Sequence, residues 1–193
     1  RLDAVLFTVV AGYYLALAGR KQEALEWYAR ARRSPVAYAN PHRQEEQAAL
    51  EAAIEAAPDD ARARHFLGNL LYARGRREEG LAQWEKAAAW RNVGYGRRFL
   101  KKDLRGSLAA YEKALALDAG DARVLLELDQ VAEEMKQAAP QRLARLEKHM
   151  GTVEKRDDLV ARLIDLRLAR GSTEDLAFAY KTLNTRHFRS WEG

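Results

Sequence analysis

A small residue in one apolar-periodic segment is answered about one half-repeat later by an aromatic in the next, and the pattern recurs along the chain. Gly12 is followed by Tyr28, Gly68 by Trp84 and Gly94 by Tyr111, at intervals of 16, 16 and 17 residues. A fourth copy has Ile164 in the glycine's place and Tyr180 as the ring, again 16 apart. Three residues beyond each ring stands Ala31, Ala87, Ala114 or Leu183, and turn glycines follow the first segments at Gly19, Gly75 and Gly171. Two antiparallel helices approach closely only where one presents a small side chain, and a ring from the facing helix fills the space so created. One such hairpin cannot bury its apolar face alone, whereas stacked hairpins can.

Composition supports helices. Ala, Leu, Glu and Arg dominate, while only 4 Pro and 12 Gly are present, mostly between periodic segments. Cysteine is absent, which excludes disulfides, thiolate zinc sites and a cysteine nucleophile. The longest apolar stretch, residues 4–19, is interrupted by Thr8, Gly12, Tyr13 and Tyr14 and falls short of the roughly 18 residues a membrane span needs. It also lacks signal-peptide features, so a soluble protein is expected, cytoplasmic by default and with no membrane partner. A first residue of Arg1 rather than Met suggests a piece of a longer protein. The net charge of +5 arises from 33 basic and 28 acidic residues that alternate along the sequence, a pattern expected of solvated helix faces and not of a nucleic-acid partner.

Period and punctuation predict helices at 3–18, 21–33, 44–57, 61–74, 76–90, 92–102, 104–117, 122–137, 141–149, 158–170 and 173–184. Gly19, Gly75 and Gly171 are predicted to close helices, Asp60, Asp121 and Ser172 or Thr173 to cap N-termini, and Pro140 to open one. The period fails in two places. Gly68 and Gly94 are only 26 residues apart. Either two hairpins meet at Trp90-Arg91 without an ordinary turn, or a segment is missing between them; a run of Ala87-Ala88-Ala89-Trp90 with no stop signal favours the second. The stretch from Ser34 to Arg43, with Pro35 and Pro41, reads as a loop in place of a first helix. Bends are expected at Gln137-Ala138-Ala139-Pro140 and at Met150-Gly151-Thr152-Val153.

The order of small residue, ring, Ala and turn resembles the tetratricopeptide repeat, whose period is about 34 residues. The resemblance implies an all-α fold, a right-handed solenoid of antiparallel helix pairs forming one domain over 1–193. The pairs would be 5–33, 44–60 (partial), 61–90, 91–118, 122–149 (degenerate) and 157–184, with a tail at 185–193. Six further stretches are similar to the C-terminal repeats of a family of uncharacterised bacterial proteins that join a β-sandwich domain to tetratricopeptide repeats. They are Asn40-Pro41-His42-Arg43, Leu67-Gly68-Asn69-Leu70-Leu71-Tyr72, Leu126-Glu127-Leu128-Asp129-Gln130, Leu146-Glu147-Lys148-His149, Arg156-Asp157-Asp158-Leu159 and Phe188-Arg189-Ser190-Trp191-Glu192-Gly193. Members tend to end in Phe-His-Pro-Trp-Glu-Gly, from which Arg189 and Ser190 depart.

In tetratricopeptide arrays the first helices line a concave groove that holds a peptide. Carried onto this sequence, that groove would take Tyr13, His65, Phe66, Asn69, Tyr72, Asn92, Tyr95, Arg98, Phe99, Arg123 and Gln130. Asn suits peptide amides and Arg a carboxylate, whereas Phe66, Tyr72 and Phe99 read equally well as core. A carboxylate clamp known in some arrays would fall on His65, Asn69, Asn92, Arg123 and Glu127, but Glu127 would repel the group it should bind. The expected function is therefore a non-catalytic scaffold whose partner is a protein, a peptide or its own upstream domain. The alternative is an accessory module of a larger carbohydrate-active protein.

No residue pattern calls for catalysis or a cofactor. His42, His65, His149 and His187 are scattered without a second ligand at metal spacing, and His149 is read as a helix-dipole histidine. Gly94-Tyr95-Gly96 has no preceding strand, and Phe99 stands where a third glycine belongs. The doublets Glu45-Glu46, Asp59-Asp60, Glu133-Glu134 and Asp157-Asp158 point about 100° apart on a helix and read as caps or solvated faces.

Overall fold

The computed structural model describes residues 4–34 and 40–188, and among these every regular element is an α-helix. The chain forms two compact units, Arg1–Gly96 and Arg97–Gly193.

The first unit contains α1 (Ala4–Leu17), α2 (Lys21–Arg33), α3 (Gln44–Ala56), α4 (Ala61–Ala73), α5 (Arg77–Lys86) and most of α6 (Trp90–Phe99). α1 packs on α2 and α3, α3 on α4, and α4 on α5. The small-residue rule operates here as expected. Tyr28 and Trp84 are buried at 5% and 4% exposure. A Cβ on Gly12 would stand 2.7 Å from Tyr28 Cε1, and one on Gly68 would stand 2.6 Å from Trp84 Nε1, so neither site admits alanine without displacement. α4 and α5 approach so closely that a Cβ on Gly80 would lie 2.8 Å from the Gly68 carbonyl oxygen. Val5, Leu6, Val9, Leu50, Phe66 and Leu67 join Tyr28 in one apolar core.

The second unit contains α7 (Leu104–Leu117), α8 (Ala122–Glu134), α9 (Ala139–Lys148), α10 (Met150–Val153), α11 (Asp157–Arg170) and α12 (Thr173–Thr185). α7 packs on α8, α8 on α9, α9 on α11 and α11 on α12, with the single turn α10 wedged among α8, α9 and α11. Tyr111 is fully buried. Tyr180, predicted to be its counterpart, is 75% exposed, and Leu183 is 54% exposed. Leu176, Tyr180 and Leu183 share one face of α12 by helical spacing, and that face is left exposed, while Ile164 on α11 is buried.

Local punctuation follows the sequence closely. Asp60 accepts from the Ala63 N–H (2.9 Å), Asp121 from Arg123 and Val124, and Ser172 from Asp175. Gly19, Gly75 and Gly171 have φ of 77°, 85° and 78°. Asp103, not foreseen, caps α7 through the Gly106 N–H (2.8 Å).

The short interval between Gly68 and Gly94 needs no missing segment. α5 stops at Lys86, four residues before the predicted end, and Ala88 takes φ 52°. The Ala89 N–H then reaches back to the Trp84 carbonyl (3.0 Å), as the Arg76 N–H does to Leu71 across Gly75. This is a six-to-one helix-terminating turn with alanine where glycine usually stands. Lys136 (φ 56°) ends α8 in the same way, the Gln137 N–H bonding to Ala132. The expected bend at 150–153 is the helical turn α10. Residues 35–39 of the predicted loop and 189–193 of the tail motif lie outside the described residues.

Candidate functional site

The outer face of α4 borders an open cleft of about 590 Å³ lined by Arg32, Asp59, Asp60, Ala61, Arg62, His65, Phe66 and Asn69. Its charged groups are engaged with one another. Asp60, which caps α4, also pairs with Arg32 Nε (3.0 Å), and Arg32 Nη2 pairs with Asp59 (2.7 Å). Arg62 donates to the carbonyls of Ser34 and Ala31 at the C-terminal end of α2. The rim thus joins α2 to α4 as well as shaping the cleft.

Asn69 is the centre of a directional hydrogen-bond chain. Trp84 Nε1, a donor only, bonds to Asn69 Oδ1 (2.9 Å), and Asn92 Nδ2 bonds to the same oxygen (2.9 Å). The Asn69 amide nitrogen must therefore face His65 Nε2, 3.3 Å away, and that ring nitrogen must accept. His65 is neutral, with its proton on Nδ1, and burial pushes its pKa down. Three of the expected groove residues are thereby brought together, but the oxygen of Asn69 is already occupied by two donors.

The aromatic candidates divide. Phe66 is 3% exposed and belongs to the core, although it also lines the cleft. Tyr72 is half-buried, stacked on Trp84 (centroids 4.8 Å, planes 27° apart), with Tyr95 against its edge at 6.0 Å. Tyr95 is 40% exposed. Tyr13 is half-buried and tilts against exposed Tyr14 at 5.7 Å. The buried Tyr28 hydroxyl has no hydrogen-bond partner among the described residues, and burial, followed by Tyr13 and Glu55, raises its pKa.

In the second unit Arg98 and Gln130 do meet: Arg98 Nη1 bonds to Gln130 Oε1 (3.2 Å) and Nη2 to Glu134 Oε1 (2.6 Å). Arg123 is exposed and pairs with Glu127 at 3.2 Å, so the two second-unit members of the expected clamp neutralise each other. Phe99 is 46% exposed, which takes it out of the core reading.

Sequence reasoning missed the charged clusters inside this unit. Asp129 is fully buried and accepts from Arg142 Nε (3.0 Å), Arg142 Nη2 (2.8 Å) and Arg162 Nη1 (2.8 Å). Glu133 closes the ring with Arg142 Nη1 (3.0 Å) and Arg162 Nη2 (2.8 Å), and Arg162 then Arg142 hold its pKa down. α8, α9 and α11 are tied together by these four side chains. Asp175, also fully buried, accepts from Arg170 Nε (2.7 Å) and Nη2 (2.6 Å) and from Ser172 Oγ (2.9 Å), so its pKa lies well below the usual carboxylate range. One signal was available: Asp129 and Glu133 sit four apart, on one face of a helix otherwise rich in Leu and Val. His149 is the C-cap of α9, at the helix end where the sequence puts it, while burial, Lys148 and Arg145 lower its pKa.

Among the described residues no group of three or more His, Asp or Glu side chains stands close enough to hold a metal ion, and no helix is long and apolar enough to cross a membrane. The arrangement on α4 is one of shape and hydrogen bonding: a hollow beside amide and imidazole groups whose tautomer the helix pair dictates. Against known protein families, no family model matches the chain.

Proposed function

We propose that the chain is a non-catalytic scaffold of the tetratricopeptide type, a right-handed solenoid of antiparallel helix pairs that binds a peptide or a neighbouring domain at the cleft on α4. The observation that carries this reading is the Gly68 and Trp84 lock. It brings α4 and α5 into close approach and, through the indole N–H, sets the orientation of Asn69 and hence of His65 beside the hollow. The recurrence of the same lock at Gly12 and Tyr28 supports a repeat. A peptide laid in the cleft would find an imidazole N–H at His65, the remaining amide N–H of Asn69, and apolar contact along their stems.

The test is selection of a random peptide library on the purified protein. Selected peptides are expected to lose binding on Ala61→Trp, a substitution at the exposed first position of α4 that fills the cleft. Failure to select any peptide, or selected peptides indifferent to Ala61→Trp, would remove the cleft from consideration.

A further inference from the structure

The net charge is less evenly spread than its interleaved sequence suggests. Residues 97–105 contain five basic residues, Arg97, Arg98, Lys101, Lys102 and Arg105, against one acid, Asp103. The remaining 28 basic and 27 acidic residues nearly cancel, so one turn holds four of the five surplus charges. That turn joins α6 to α7. Lys102 is held at φ 55°, and the Asp103 N–H bonds to the Arg97 carbonyl (2.9 Å). The Asp103 carboxylate is engaged at home, capping α7 and lying 3.9 Å from Arg97 Nη1. Lys101, Lys102 and Arg105 are exposed, and neither Lys102 nor Arg105 forms an ion pair among the described residues.

Beside these cations lies a cleft of about 350 Å³ lined by Arg98, Phe99, Lys102, Leu104 and Glu134. Arg98 stacks 4.9 Å from the centroid of the exposed Phe99 ring and is anchored by Glu134 and Gln130. The cleft thus brings the apolar side chains of Phe99 and Leu104 together with Lys102, Arg98 and the Glu134 carboxylate.

We propose that this turn is a docking site for an acidic peptide segment of a partner protein. Carboxylates of the segment would lie over Lys101, Lys102 and Arg105, with an apolar side chain against Phe99 and Leu104. Cations beside an exposed ring also suit single-stranded nucleic acid, but two features favour the peptide. Phosphate tracking needs a groove of cations along the strand, whereas here the surplus is confined to one turn. Among the described residues Phe99 is the one ring lining the cleft, whereas a single strand stacks successive bases on several rings. The site draws on no residue of the α4 cleft.

The experiment is fluorescence anisotropy with a labelled peptide of alternating Glu and Leu, the same peptide with Gln for Glu, and a labelled oligothymidylate. The acidic peptide is expected to bind most tightly, and more weakly as salt is raised. The double variant Lys102→Glu, Arg105→Glu, checked for native helix content by circular dichroism, is expected to weaken binding about tenfold or more, the equivalent of about 1.4 kcal/mol. If that pair does not fold, Lys102→Gln with Arg105→Gln is read by the same criterion. Ala61→Trp should leave this binding unchanged, which separates it from the α4 cleft. Equal binding of the Gln peptide, tighter binding of the oligonucleotide, or indifference to the charge substitutions would overturn the proposal.

Discussion

Gly68 has no side chain because Trp84 occupies the space where one would be. Adding a single methyl at Gly68 would overlap the indole ring, and overpacking of a filled core costs about 1–3 kcal/mol. Gly68→Ala is expected to lower stability by that amount. Trp84→Ala is expected to cost more, about 3–5 kcal/mol, because it leaves a cavity at a 4% exposed site and strips Asn69 of a donor. Urea unfolding of the two variants checks both values, and an unchanged midpoint for Trp84→Ala would contradict the lock. His65 adds a pH dependence. Its folded pKa is depressed, so the unfolded chain takes up a proton first as pH falls. Its share of stability is complete above the ordinary histidine value of about 6.5 and declines below it. Protonation would also set two donors, His65 Nε2–H and the Asn69 amide, against each other. Arg32 and Arg62 on the cleft rim oppose the added charge and Asp59 and Asp60 favour it. Between about pH 7.5 and 5.5, the wild type should lose more stability than His65→Gln, whose amide oxygen still accepts from Asn69. Equal losses would show that His65 does not titrate in this way.

Helices end where backbone geometry ends them, and residue type signals that only in part. At Gly75 the positive φ is carried by the residue that takes it at least cost, and the helix stop is visible in the sequence. At Ala88 an alanine is held at φ 52°, a conformation that costs an L-residue roughly 1–2 kcal/mol. Ala88→Gly should therefore raise stability by about 1 kcal/mol, measured as an upward shift in the unfolding midpoint. A loss would mean that the turn between α5 and α6 is not of this form. The same disguise at Lys136 explains why α8 reads three residues too long in the sequence. On α12 the difficulty is reversed. The ring of Tyr180 is present at the right interval, but it lies with Leu176 and Leu183 on the exposed face of α12 and meets solvent.

Both units have apolar cores, and the second carries a buried ion network in addition. In the first, apolar side chains and two ring-into-glycine contacts supply the core. In the second, the Asp129 ring of ion pairs ties α8, α9 and α11 together from within. Removing one member of a buried ion network leaves its partners desolvated and unpaired, so Asp129→Ala should destabilise by about 3–5 kcal/mol. An effect below about 1 kcal/mol, the size expected of exposed pairs, would show that the ring is not buried in solution. Averages over the whole chain concealed a second feature. Its basic and acidic residues do interleave over most of the length, and the surplus at 97–105 emerges only when charge is counted locally.

Helix formation, its period, most N-caps and the glycine-for-ring exchange of the first unit were legible in the sequence, because each depends on residues within one or two turns of one another or at a constant interval. The choice between core and groove for Phe66, the occupancy of Asn69 by Trp84 and Asn92, and the four-membered ring around Asp129 were not. Each depends on side chains brought together from different helices. A side chain's periodicity tells which face of its helix it occupies, but the neighbour on that face belongs to another segment, and only packing decides whether it is a ring, a charge or open solvent.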